Sequence, residues 1–171
     1  MGKLVAILGS SGDGKTTSTI INPDGTYKPD DYQGMNPKNH FILNLDRKVL
    51  PFPAGMWDTD KQNYFEPTDF PSIKNMLTWI SKQEHIKSVS IDTINIYLAM
   101  KEYNERKKMT FDKWADYAND VIELNSMCNT ILRDDQIAYV FGHTMLQDQT
   151  DGSQKIVFSV SGKKLTKTQP E

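Results

Sequence analysis

Apolar positions along the chain fall into short unbroken runs and helically spaced stretches. Lys3-Leu-Val-Ala-Ile-Leu8 is such a run and reads as a buried strand, after which a helix is expected from Lys15 to about Ile21. Asn22-Pro-Asp-Gly25 stops that helix with turn chemistry, and residues 22–39, with three prolines and two glycines, predict a long loop. Phe41-Ile-Leu-Asn-Leu45 is a second buried strand, leading into Asp46-Arg47-Lys48. A proline-rich loop follows over 51–67, with Trp57 and Tyr64 as anchors. From Pro71 to about Gln83, Ile73, Met76, Leu77 and Ile80 recur at i, i+3, i+4 and i+7, an amphipathic helix with proline in its first turn. Lys87-Ser-Val-Ser-Ile91 is a third strand and closes on Asp92-Thr93. Phe111, Trp114, Ala115, Ala118, Val121, Ile122, Cys128, Ile131 and Leu132 are spaced for the buried face of a longer helix capped by Thr110. Gln136-Ile-Ala-Tyr-Val-Phe141 is the fourth strand, ending at Gly142-His143-Thr144, and Lys155-Ile-Val-Phe-Ser-Val160 the fifth. The polar stretch Met145 to Gln154 between them, turning at Asp151-Gly152, makes the last two strands a hairpin.

This alternation predicts an α/β fold: a mostly parallel sheet flanked by helices on both faces, with a C-terminal β-hairpin. A chain of 171 residues is one domain's worth, so a single domain over 1–171 is expected. Its last ten residues are polar and follow soon after a strand, as in a C-terminally truncated chain or one with a short native tail. The net charge of −2 and pI near 5.9 exclude a global basic field, so any nucleic-acid contact must come from a local patch. Cys128 is the single cysteine, which rules out an intrachain disulfide, fits a reducing cytoplasm and, by its helical spacing, belongs to the core. The sequence carries no signal peptide and no apolar run near 18 residues, so a soluble cytoplasmic protein is expected.

Candidate chemistry begins directly after the first strand. Gly9-Ser10-Ser11-Gly12-Asp13-Gly14-Lys15-Thr16-Thr17 satisfies the phosphate-binding pattern G-x-x-x-x-G-K-[ST]. A strand that runs through such a loop into a helix aims successive backbone N–H groups and the positive helix end at one point, where a polyphosphate fits. Gly9, Gly12 and Gly14 permit the sharp loop, Lys15 is placed to bridge the β- and γ-phosphates, and the Thr16 hydroxyl to meet Mg²⁺.

In a doubly wound sheet, ligands lie beyond the carboxyl ends of the strands, which singles out Asp46, Asp92 and His143. Asp92 has the form of a Walker B aspartate holding Mg²⁺ opposite Thr16; its plainer reading is a helix cap. Thr93 stands where many motor ATPases carry a glutamate, so the water-orienting base must come from elsewhere. Asp46 is the first choice, on a strand expected to neighbour the phosphate-loop strand, and Glu102 the second. A loop ion pair of Asp46 with Arg47 or Lys48 is an equal alternative. His143 is positioned to sense a γ-phosphate, whereas His40 and His85 have no partners at metal-ligand spacing. Lys101-Glu-Tyr-Asn-Glu-Arg-Lys-Lys108, with Tyr97 and Tyr103, reads either as a solvated helix face or as a track for a single strand of nucleic acid. Lys163 and Lys164 suit a contact to a nucleotide on a neighbouring subunit or plain solubility of the tail.

Taken together, the phosphate loop, Asn44-Leu-Asp-Arg-Lys-Val-Leu-Pro-Phe52, Ser90-Ile-Asp-Thr93, Thr110-Phe-Asp-Lys-Trp-Ala-Asp-Tyr-Ala118, Phe141-Gly-His143 and Ser161-Gly-Lys163 resemble the RecA-like P-loop ATPase core. More narrowly, they resemble phage-encoded ATPases of single-strand annealing and recombination. The resemblance implies ATP and Mg²⁺ as ligands, hydrolysis, single-stranded DNA as a partner, and a homo-oligomeric ring or filament with a shared ATP site. It also implies DNA-facing loops after Asp92 and after His143, although Met145 to Gln154 contains two Asp and no Lys or Arg. Two other readings compete. One is a small nucleotide or metabolite kinase, which usually needs several arginines where this chain has Arg47, Arg106 and Arg133, scattered. The other is a nonhydrolysing nucleotide-gated binding module. A G protein is disfavoured because no Asn-Lys-x-Asp guanine motif occurs.

Overall fold

The computed structural model describes residues 2–28, 36–51, 54–105, 112–149 and 152–159. Apolar runs become strands: β2 (His40–Asn44) and β4 (Ser88–Asp92) are buried on both faces, β5 (Ile137–Asp148) has buried residues only in its first half, and β1 (Lys3–Gly9), read from the sequence as a buried strand, has none and lies at the edge of the sheet. A two-residue strand β3 (Tyr64–Phe65) lies inside the proline-rich loop, and β6 (Gln154–Phe158) closes the set. The path across the sheet is β1-β5-β4-β2-β3, all parallel, with β6 antiparallel to the distal half of β5. The expected mostly parallel sheet with a terminal hairpin is therefore present.

Helices cover both faces. On one side α1 (Lys15–Ile20) buries Ile20 against Ile42 and Trp57, the anchor that holds the proline-rich loop down. On the other, α2 (Phe70–Ile80), α3 (Ile94–Asn104) and α4 (Asp112–Thr130) share the main core with Phe41, Leu43, Val89, Ile91 and Ala138. The start of α2 follows from its sequence: Asp69 accepts from the Ser72 N–H at 2.8 Å, the Ser72 hydroxyl reaches back to the Asp69 N–H, and Pro71 occupies the first turn.

Four further expectations are corrected. The strand that leads to Asp46 does not neighbour the phosphate-loop strand: β5 and β4 stand between β1 and β2, because long-range pairing sets strand order independently of chain order. The fourth strand does not stop at His143 but runs on to Asp148, since β6 supplies it with a new partner where β4 ends. A separate helix, α3, follows Asp92; Ile94, Tyr97 and Leu98 bury one side of it. On α4 the buried stripe is Tyr117, Leu124, Met127 and Cys128, with Val121 packed against it, while Ile122 is 65% exposed and Ala115 is also exposed. Thr110 and Phe111, the basic residues 106–108, Asp151, and residues 160–171 with Lys163 and Lys164 lie outside the described residues.

Candidate functional site

Three parallel strands deliver the site. The carboxyl ends of β1 and β4 place Gly9 and Asp92 on either side of His143, which lies within β5, and the chain leaving β2 adds Asp46 and Lys48. Asp46, Lys48, Asp92 and His143 line a cleft of about 290 Å³ together with Lys15 and Thr16. The strand separating β1 from β4 is thus the one that carries His143.

The loop from Gly9 to Thr17 is wrapped for anion binding. Gly12 and Gly14 take φ of 88° and 71°, which side chains rarely adopt, and a Cβ on Gly9 would come within 2.8 Å of the Asp13 carboxylate. Asp13 accepts from the Ser10 N–H at 2.6 Å and braces the loop across its width. Lys15 Nζ donates to the carbonyls of Gly9 (3.1 Å) and Ser10 (2.7 Å), so the ammonium is held over the loop mouth. It also lies 3.3 Å from His143 Nδ1. Burial, then the Lys15 and Lys48 ammoniums, hold the His143 imidazole below its usual pKa. A neutral ring accepting at Nδ1 follows, leaving Nε2–H as its donor.

Thr16 Oγ1 donates to Asp92 Oδ2, and the Thr93 hydroxyl donates to Asp92 Oδ1 at 2.5 Å. A hydroxyl and a carboxylate in direct contact beside a phosphate-shaped loop form a hard-oxygen donor pair that fits Mg²⁺, which takes few protein ligands and completes its shell with water and phosphate oxygens. No cluster of three or more His, Cys, Asp or Glu able to hold a metal occurs among the described residues.

Asp46 lines the cleft although its strand is remote from β1, and it is ion-paired with Lys48 at 3.0 Å. Glu102 lies on α3 and does not line the cleft. Tyr97 and Lys101 turn inward: both donate to Asp120 at 2.6 Å, clamping α3 to α4, whereas Tyr103 is 67% exposed. Arg133 is spent at the opposite edge of the sheet on the carbonyls of Ser81, Gln83, Glu84 and Ile86 and on Asp135. His40 is buried between Ser88 and Ser90, its nitrogens 2.7 and 2.9 Å from their hydroxyls, and burial pushes its pKa down to about 3. Cys128 is buried, its thiol pushed up to about 12 by the same cause, as expected of a core residue.

Two polar residues escaped the sequence reading. Asn95, in the first turn of α3, accepts from the His143 N–H at 2.6 Å, donates back to the His143 carbonyl at 3.3 Å and also donates to the Ser159 carbonyl. Asn44 donates to the Lys48 carbonyl at 2.8 Å and to Tyr64 Oη at 2.6 Å, pinning the turn that carries Asp46. Neither belongs to a local pattern; an asparagine at the end of a buried strand was the one available signal for Asn44.

No protein-family model matches this sequence, and none of the curated proteins compared with it does. Among solved structures, a KaiC-like protein of the hyperthermophilic archaeon Pyrococcus horikoshii superposes with a TM-score of 0.50 at 14% identity, over 93% of this chain and 80% of that one. The likeness is one of fold, and with the strand order and phosphate loop described above it gives this chain a RecA-like P-loop architecture.

Proposed function

We propose that the protein binds ATP with Mg²⁺ on the Gly9–Thr17 loop and hydrolyses it. The observation that supports this most is the convergence of Lys15, the Thr16–Asp92 pair and His143 on one cleft. The loop N–H groups and Lys15 would hold the β- and γ-phosphates, and His143 would donate Nε2–H toward the terminal phosphate. Mg²⁺ held by Thr16 and Asp92 would neutralise phosphate charge. As water attacks, its oxygen bonds to the γ-phosphorus while the bond to the β–γ bridging oxygen breaks; ADP leaves with that electron pair and Asp46 accepts the proton of the water.

Slow turnover is expected, because Asp46 is engaged by Lys48 and no glutamate follows Asp92. The kinase reading loses ground, since Arg133 is committed to carbonyls far from the cleft. From the resemblance come the finer expectations of ATP over GTP, coupling to single-stranded DNA in phage recombination, and a homo-oligomeric ring or filament sharing the site. Phosphate release from ATP with and without single-stranded DNA, alongside sedimentation with a nonhydrolysable analogue, tests them together. DNA-stimulated release with assembly supports the whole reading; binding without turnover leaves a nucleotide-gated module, and transfer to a small acceptor leaves a kinase.

A further inference from the structure

Lys48 belongs to no part of the phosphate loop, yet it lines the same cleft as Lys15, Asp92 and His143. The backbone brings it there by an unusual route. Arg47, a non-glycine residue, takes φ of 54°, which folds the chain back so that Asp46 Oδ1 accepts the Lys48 N–H at 3.1 Å and Asp46 Oδ2 meets Lys48 Nζ at 3.0 Å. Asn44 pins the far side of the turn through the Lys48 carbonyl, and Tyr64, donating to Glu66 at 2.6 Å, backs Asn44. A left-handed residue held by several side-chain hydrogen bonds next to a cleft is the kind of local strain that surrounding structure maintains for a purpose.

The two ends of this ion pair differ in exposure. The Asp46 side chain is 10% exposed and that of Lys48 62%, so the ammonium can leave the carboxylate by side-chain rotation alone while the turn stays fixed. With its ammonium end in solvent the pair can exchange, and a phosphate dianion is a stronger competitor for the ammonium. The Lys48 charge is also felt at His143, the residue facing the terminal phosphate position.

We propose that Lys48 is a second γ-phosphate ligand supplied in cis, and that its transfer from Asp46 to the γ-phosphate frees the Asp46 carboxylate to receive the proton of the attacking water. The proposal rests on the ATP reading given above. It makes the Asp46–Lys48 pair a latch that a triphosphate opens and a diphosphate does not.

The test is equilibrium binding of fluorescent ADP and of a fluorescent nonhydrolysable ATP analogue, each with Mg²⁺, to the full chain and to Lys48→Ala and Lys48→Arg. A charge-assisted hydrogen bond to the γ-phosphate predicts that Lys48→Ala loses about tenfold or more in affinity for the triphosphate while ADP affinity stays within about twofold. Lys48→Arg, which keeps the charge, should retain most of the discrimination. Equal losses for the two nucleotides, or none for either, overturn the inference and leave the ATP site standing. Failure of the unaltered protein to bind either nucleotide overturns the ATP reading and the inference with it.

Discussion

A carboxylate and a histidine differ here because of what surrounds each. Asp92 receives two hydroxyl hydrogens, from Thr16 and Thr93, and the Mg²⁺ role proposed for it rests on that pairing with Thr16. Asp92→Asn should keep the fold and nucleotide binding within a few-fold but lower Mg²⁺-dependent phosphate release by about 10²-fold or more, by analogy with the loss of one preorganised electrostatic group. Undiminished release would remove Asp92 from the site. His40 shows the other extreme, a histidine with no role in the cleft and both nitrogens used internally. Its folded-state pKa of about 3 lies below the unfolded value of 6.5, so on acidification the unfolded chain takes up the proton first. Stability from this residue is complete above pH 6.5 and lost as pH falls toward 3, amounting to about 2 kcal/mol between pH 7 and pH 5. Urea midpoints at the two pH values should show that slope in the unaltered protein and a flatter one in His40→Gln; identical slopes would contradict the assignment.

At the scale of elements, the Asn95 side chain hydrogen-bonds α3 to the β5–β6 hairpin. β4 stops pairing with β5 at Ile91 opposite Val140, and Asn95 takes over the hydrogen-bonding groups of His143 that lie beyond that point while reaching Ser159 past the end of β6. Asn95→Ala should therefore cost about 1–3 kcal/mol of stability and speed hydrogen exchange at the His143 and Ser159 amides before it affects the strands near Ile137. Uniform acceleration across β5 would show that Asn95 holds nothing specific. The same junction explains what could be read from the sequence. Phosphate loop, Asp92 and His143 were legible because each is a strand followed by a local pattern. The helix Ile94–Asn104 was not, because Ile94-Asn-Ile-Tyr-Leu-Ala-Met100 is apolar almost throughout its first two turns and shows no helical stripe. The inward turn of Lys48 was illegible for another reason: it depends on Arg47 adopting a left-handed conformation that its type does not favour. On α4 the expected face is right at Ala118, Val121 and Cys128, and just beyond it at Leu132, and wrong at Ala115 and Ile122, which are exposed, while Tyr117 takes a core place that the sequence reading did not give it.

For the molecule as a whole, the strand order matters more than the strand count. Placing β5 between β1 and β4 is what lets His143 reach Lys15 and makes one cleft from residues far apart in the chain. A chain ending at Asp135 should lose more than its two last strands: β1 would have no partner among the described strands, and cooperative urea unfolding should vanish. Retention of a sharp transition at the original midpoint would mean that β1 is held by α1 and α4 alone. None of the described helices is long and apolar enough to cross a membrane.

The pairing of Lys3 through Gly9 with Ile137 through His143 also has a temporal side. During synthesis β1 leaves the ribosome well before β5, so the glycine loop emerges long before the strand that completes its surroundings. Val5 and Leu8, which remain 39% and 52% exposed even in the folded chain, would be uncovered for most of that interval. The nascent protein thus carries β1 as an unpaired apolar strand until β5 emerges, which makes that moment the end of its greatest exposure to aggregation.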